Sequence, residues 1–119
     1  MILTMTLVAL GGALGAALRY LTGLAVAFPF GTLTVNVAGS LAIGLLWVVL
    51  TARGLTHWQP FLITGILGGF TTFSAFSLDT LRLVEDGRTG MAGAYVLASV
   101  ALSLGACIAG AQIARAVLA

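Results

Sequence analysis

Apolar residues fill this chain in four stretches, each about as long as a bilayer crossing, and the polar residues gather in the short breaks between them. The first stretch runs from about Leu3 to Phe28, interrupted by Arg19, and Pro29, Phe30 and Gly31 read as the first turn. The second covers Thr32 to Ala52. Arg53, Gly54, Thr56, His57 and Gln59 make the second break, with Trp58 as a ring suited to a membrane interface and Pro60 opening the next helix. The third stretch runs from Phe61 to about Leu83. Glu85, Asp86, Gly87 and Arg88 form the third break, and the fourth stretch occupies about Met91 to Ala114, closed by Arg115. A helix needs about 20 apolar residues to cross a bilayer and satisfies all its backbone groups internally, so each stretch is predicted to be a transmembrane helix. The expected fold is an all-α integral membrane protein, a single four-helix domain over residues 1–119. The opening MILTMTL has no basic flank, so the first stretch is expected to remain a span and not to be cleaved.

Composition removes the soluble alternative. The 119 residues are 61% hydrophobic and 7% charged, with mean hydropathy +1.18, too few polar groups to cover the surface of so small a domain. Residues 1–78 hold no Asp or Glu, and the three acids, Asp79, Glu85 and Asp86, fall at or beyond the end of the third span. Proton-coupled carriers keep an ionisable group at depth, so the absence of a midplane carboxylate argues against proton coupling through one. Cys107 has no second thiol in the chain, and His57 sits in a break without ligand partners. No enzyme chemistry and no nucleic-acid partner are expected. LVALGGALGAALRY resembles a dinucleotide-binding loop only superficially, because Leu10 stands where the first glycine belongs. Gly11 and Gly15 have instead the spacing of a close helix contact.

The polar residues left inside the spans are neutral hydrogen-bond donors: Thr32, Thr34, Asn36, Ser40, Thr64, Thr71, Thr72, Ser74, Ser77, Tyr95, Ser99 and Ser103. Tyr95, Ser99 and Ser103 recur every four residues and form one stripe on the fourth span. In GGFTTFSAFS, residues 68–77, Phe70, Phe73 and Phe76 recur every three, as do Thr71, Ser74 and Ser77. A small, strongly hydrated anion crosses lipid only if many close donors replace its water. The edge of a phenylalanine ring is the positive end of its quadrupole and can face such an anion. Gly68 and Gly69 weaken the helix just ahead of the aromatic run, where an unwound turn would free backbone groups to face an ion.

GGALGAALRY, GTLTVNVAGS and GILGGFTTFSAF resemble, in order, the three signature stretches of the fluoride channel family called Fluc or CrcB, and the four-span layout is similar over the whole chain. The resemblance implies passive fluoride export from a microbial cell, through an antiparallel dual-topology homodimer in the inner membrane with two fluoride paths. Matched by motif, Phe73 and Phe76 resemble the paired phenylalanines beside the path, Asn36 the second-span asparagine, and Arg19 the basic residue of the electropositive vestibule. Ser74 falls in the same matched stretch, and Tyr95, Ser99 and Ser103 resemble the polar track of the fourth span. Gly68 and Thr71 match positions whose backbone carbonyls, in a third-span break of both subunits, hold a central Na+. Ala75 stands where the family commonly has threonine, so no hydroxyl is expected to act there.

Simpler roles stay open for these residues. Arg19 beside Tyr20 also fits an interfacial anchor, Phe73 and Phe76 fit core packing, and Asn36 fits a polar tie between helices. Small multidrug antiporters share the four short spans, but depend on a first-span glutamate that this chain lacks. An accessory subunit of a larger membrane complex would leave the clustered donors without a purpose. With the N-terminus inside, Arg53 and Arg115 lie inside and Arg19, Arg82 and Arg88 outside, a near balance that gives insertion little preference for one orientation.

Overall fold

The computed structural model describes residues 1–119, all of them organised around helices. α1 (Ile2–Ala25) stops ahead of Phe28, where Val26 turns extended, and α2 (Phe30–Ala52) begins directly after Pro29. Phe30 and Gly31 thus belong to α2 and not to the first turn. Gly31 lies against Gly23 of α1, where an added Cβ would come within 3.3 Å of the Gly23 Cα, so the opening of α2 rests on the end of α1. After α2, Gly54 at φ +67° turns the chain and a short 3-10 turn, Thr56–Trp58, leads into the third crossing.

That crossing changes form along its length. It begins as a π-helix, Pro60–Leu67, and continues as a single turn, α3 (Gly68–Phe70). Thr71 (φ −87°, ψ 156°) and Thr72 (φ −155°, ψ 122°) are extended, and helix resumes as α4 (Phe73–Glu85). The extended residues are therefore the two threonines, while Gly68 and Gly69, expected to be the weak point, are helical. The glycines serve packing instead. A Cβ on Gly69 would strike the Gly12 carbonyl of α1, and one on Gly15 would strike the Ile66 carbonyl, so α1 and the third crossing touch backbone to backbone. Gly11 takes part in the same contact, 2.7 Å from its built Cβ to the Phe61 carbonyl. α5 (Thr89–Leu118) packs against α2 by the same device, Gly44 lying under the Cys107 carbonyl and Gly110 under that of Leu41.

Only 18 of 119 residues are buried, and the main core cluster is small: Phe76, Leu83, Ala92 and Tyr95, flanked by Phe28, Leu33, Met91 and Val96. Large apolar side chains such as Leu10, Trp47, Leu97 and Ile108 face outward. At about 25 cal/mol per Å² of apolar surface, that exterior excludes water as its normal surroundings. Four segments, of 24, 23, 30 and 30 residues, are long and apolar enough to cross a membrane. At 1.5 Å per residue even the shortest exceeds the roughly 30 Å hydrocarbon layer. The chain is a multi-pass, all-helical membrane protein.

Candidate anion pathway

The interruption at Thr71 and Thr72 brings backbone and side chains together. No hydrogen-bonded turn closes over these two residues. Asn36 of α2 takes the place of the missing helix partners: the Thr72 amide donates to its Oδ1 at 2.7 Å, and its Nδ2 donates to the Thr72 carbonyl at 3.0 Å. The Thr72 hydroxyl accepts from the Ala75 amide at 3.1 Å and so caps α4. On the other side, Arg19 Nε donates to the Gly69 carbonyl at 3.0 Å. The Thr71 amide and hydroxyl both donate to the Leu67 carbonyl, at 2.9 and 3.0 Å. The Gly68 carbonyl has lost its helical donor, the Thr72 amide, to Asn36, and the Thr71 carbonyl accepts no hydrogen bond within the chain.

A cavity of about 380 Å³ opens beside this interruption, lined on the polar side by Asn36, Ser40, Gly68, Thr71, Thr72, Ser99 and Ser103 and on the aromatic side by Phe73 and Phe76. It has room for several waters or a partly hydrated ion. The Ser99 hydroxyl is fully buried and bonds to nothing in the chain, a donor left without a partner. The two rings meet edge to face, centroids 5.4 Å apart at 62°. Their exposures differ sharply: Phe76 is 9% exposed and Phe73 77%, so Phe73 projects from the surface of the single chain.

Arg19 lines a second cavity, of about 300 Å³, together with Thr32 and Ala75. Ala75 and Phe76 are neighbours in sequence yet face different cavities, so the start of α4 stands between the two. Two predicted site residues line neither. The Ser74 hydroxyl pairs with that of Thr72 at 3.3 Å. Tyr95 is buried against Phe76, with ring centroids 5.4 Å apart, and its hydroxyl donates to Asp79 Oδ2 at 3.3 Å. The stripe on α5 therefore divides, with Ser99 and Ser103 on the cavity and Tyr95 engaged with a carboxylate. Thr34 and Ser77 bond the carbonyls of Phe30 and Phe73 one turn back, a helix-internal use of the hydroxyl.

Residues 6–111 match the CrcB-like protein family, described as Camphor Resistance (CrcB). A protein of Paracoccus denitrificans (strain Pd 1222) named fluoride-specific ion channel FluC is 58% identical over 117 aligned positions, covering 94% of each chain. The chain belongs to the CrcB family. Relatives of the same name in Cereibacter sphaeroides (strain ATCC 17029 / ATH 2.4.9) and Roseobacter denitrificans (strain ATCC 33942 / OCh 114) are 54% and 50% identical. The first of these matches covers 97% of both chains, and the second 96% of this chain and 97% of the relative.

Within this CrcB chain, one buried group lay outside the sequence expectation. Asp79, expected at the end of the third span, is 7% exposed within α4 and joins the core side of the helix. Two neighbours compensate it: the Tyr95 hydroxyl, and Arg82, whose Nη1 stands 3.8 Å away while its guanidinium covers the Phe28 ring at 4.1 Å. The usable signal was spacing, since Asp79 follows Phe76 by three residues and so shares its face.

Proposed function

We propose that this chain is a fluoride-selective channel giving passive fluoride export across the inner membrane of a prokaryotic cell, and so protection from fluoride. The observation that carries the reading is the 58% identity, over nearly the full length of both chains, to a protein named fluoride-specific ion channel FluC. The site supports it chemically. A dehydrating fluoride ion would find the unpartnered Ser99 hydroxyl, the Ser103 hydroxyl and the Asn36 amide on one wall, and the ring edges of Phe73 and Phe76 on the other. Arg19 holds a positive charge at the second cavity, which serves as the aqueous vestibule. Tyr95 and Ser74 act in this reading at the margins of the path.

The functional unit is an antiparallel homodimer in the lipid bilayer. Phe73, exposed on one chain, is then covered by the second copy and faces a shared path. The Thr71 carbonyl without a donor and the Gly68 carbonyl with its helical donor diverted suit a hard cation, which prefers oxygen ligands, and they would hold a central structural Na+ jointly with the same pair from the second copy. The bound ion would supply fixed positive charge and a rivet between subunits. A small multidrug antiporter is disfavoured because the first span carries no carboxylate, and an accessory-subunit role leaves the Ser99 donor unexplained.

The test is fluoride efflux from liposomes bearing the purified chain, followed with a fluoride electrode. Fluoride should leave down its gradient while chloride stays, at a rate indifferent to an imposed proton gradient. Strict dependence on that gradient would replace the channel with a carrier.

A further inference from the structure

Arg19 reaches the third-crossing interruption from α1 and meets it at a carbonyl. In an unbroken helix the Gly69 carbonyl would accept from the Phe73 amide, but the extended Thr71 and Thr72 carry that amide away. Arg19 Nε–H occupies the vacated position at 3.0 Å. Asn36 does the corresponding work from α2, bonding both the amide and the carbonyl of Thr72. Unpaired backbone groups at bilayer depth are strongly disfavoured, so an extended pair inside a span persists only where side chains, water or an ion replace the lost bonds.

We infer that Arg19 is a positioning residue, whose Nε–H holds the interruption open from the α1 side while Asn36 holds it from the α2 side. A guanidinium is suited to this because its donors form a fixed fork: Nε is spent on Gly69, and the two Nη groups, which bond nothing in the chain, remain free for the second cavity. Lysine cannot divide its work in this way. Its single, strongly hydrated nitrogen goes to the water of the second cavity and leaves the carbonyl without its donor. The inference rests on the fluoride-path reading of the cavity, yet it makes a separate claim about a backbone carbonyl.

The experiment uses the full chain in liposomes, labelled with 13C at glycine carbonyls and 15N at phenylalanine amides. Gly69–Phe70 is the only Gly–Phe peptide in the sequence, so one correlated signal reports the clamped carbonyl. Arg19→Lys, which keeps the charge, should move that signal upfield, as losing a hydrogen-bond donor does. It should also slow fluoride efflux about tenfold, equivalent to ~1.4 kcal/mol in the barrier. An unmoved signal in Arg19→Lys would overturn the inference, and so would a moved signal with native efflux. If the variant does not reconstitute, the wild-type chain labelled in addition with 15N at arginine decides the matter: magnetisation transfer between an arginine Nε and the Gly69 carbonyl supports the clamp, and its absence refutes it. A wild-type chain that passes no fluoride would sink the proposed function and leave the carbonyl signal free to judge the clamp.

Discussion

Replacing Phe73 and Phe76 by isoleucine, one at a time, separates ring chemistry from packing, because the two rings are so unequally buried. Phe76 is 9% exposed and touches both Phe73 and Tyr95, each with centroids 5.4 Å away. Phe76→Ile loses two aromatic contacts at about 0.5–1.5 kcal/mol each. Refitting a branched aliphatic chain in the core adds roughly 1 kcal/mol. The expected destabilisation is therefore about 2–4 kcal/mol. Phe73 is 77% exposed on the single chain and shares only the contact with Phe76, so Phe73→Ile should lose about 1 kcal/mol.

If the rings act through packing, fluoride flux in each variant should fall only as far as its measured stability and dimer assembly do. If their electropositive edges help replace the ion's water, both variants should lose most of their flux despite the unequal cost in stability. Phe70→Ile is the control, since Phe70 lies on the same drifting stripe but packs its ring over Gly39, 3.3 Å from the Cβ built there, and lines neither cavity. It should retain more flux than either. Electrode-monitored efflux would be paired with thermal unfolding in detergent and gel filtration. Near-native flux in a well-folded Phe73→Ile channel would refute the role of the ring edges.

Ser99→Ala removes a buried hydroxyl that bonds nothing, so stability should hold or rise by about 1 kcal/mol while fluoride flux falls about tenfold; unchanged flux would remove Ser99 from the path. Asp79→Asn keeps an acceptor for the Tyr95 hydroxyl and gives up only a 3.8 Å pairing with a half-exposed Arg82, so it should cost about 1 kcal/mol or less. Asp79→Leu strands that hydroxyl in the core and should cost about 1–3 kcal/mol, and equal unfolding temperatures for the two variants would show that the Tyr95 bond contributes nothing. Cysteine labelling at engineered loop sites should find both membrane orientations in comparable amounts, as the near balance of arginines implies, and a single fixed orientation would contradict dual topology.

The helices and much of the lining were legible from spacing. Apolar runs of bilayer length gave the four crossings, and the four-residue repeat of Ser99 and Ser103 put both on one cavity. The same repeat does not give the contacts of Tyr95, because periodicity fixes the face a residue leaves from and not the reach of its side chain. A phenol is long enough to leave its stripe and find Asp79 sixteen residues away in sequence. Asp79 was hidden for a related reason: a carboxylate reads as a surface group until its partners are known. Those partners come from one turn further along α4 and from another helix.

Where the third crossing opens could not be read locally either. Glycine is the weakest helix former in GGFTTF, so propensity points to Gly68 and Gly69, at roughly 1 kcal/mol each against alanine. Tertiary demands outweigh that figure. Gly69 must stay helical to lie against the Gly12 carbonyl, a contact that any side chain would block. Thr71 and Thr72 can extend because Asn36 supplies Thr72 with both a donor and an acceptor, and because the Thr72 hydroxyl restarts the helix at Ala75. A threonine is the better residue for that position on physical grounds, since its β-branch favours extended backbone and its hydroxyl is a good cap. The motif therefore assigns two jobs to two residue types, close approach to glycine and interruption to threonine. Exchanging them, as in Gly69→Thr with Thr72→Gly, would destroy both the helix contact and the cap although composition is unchanged.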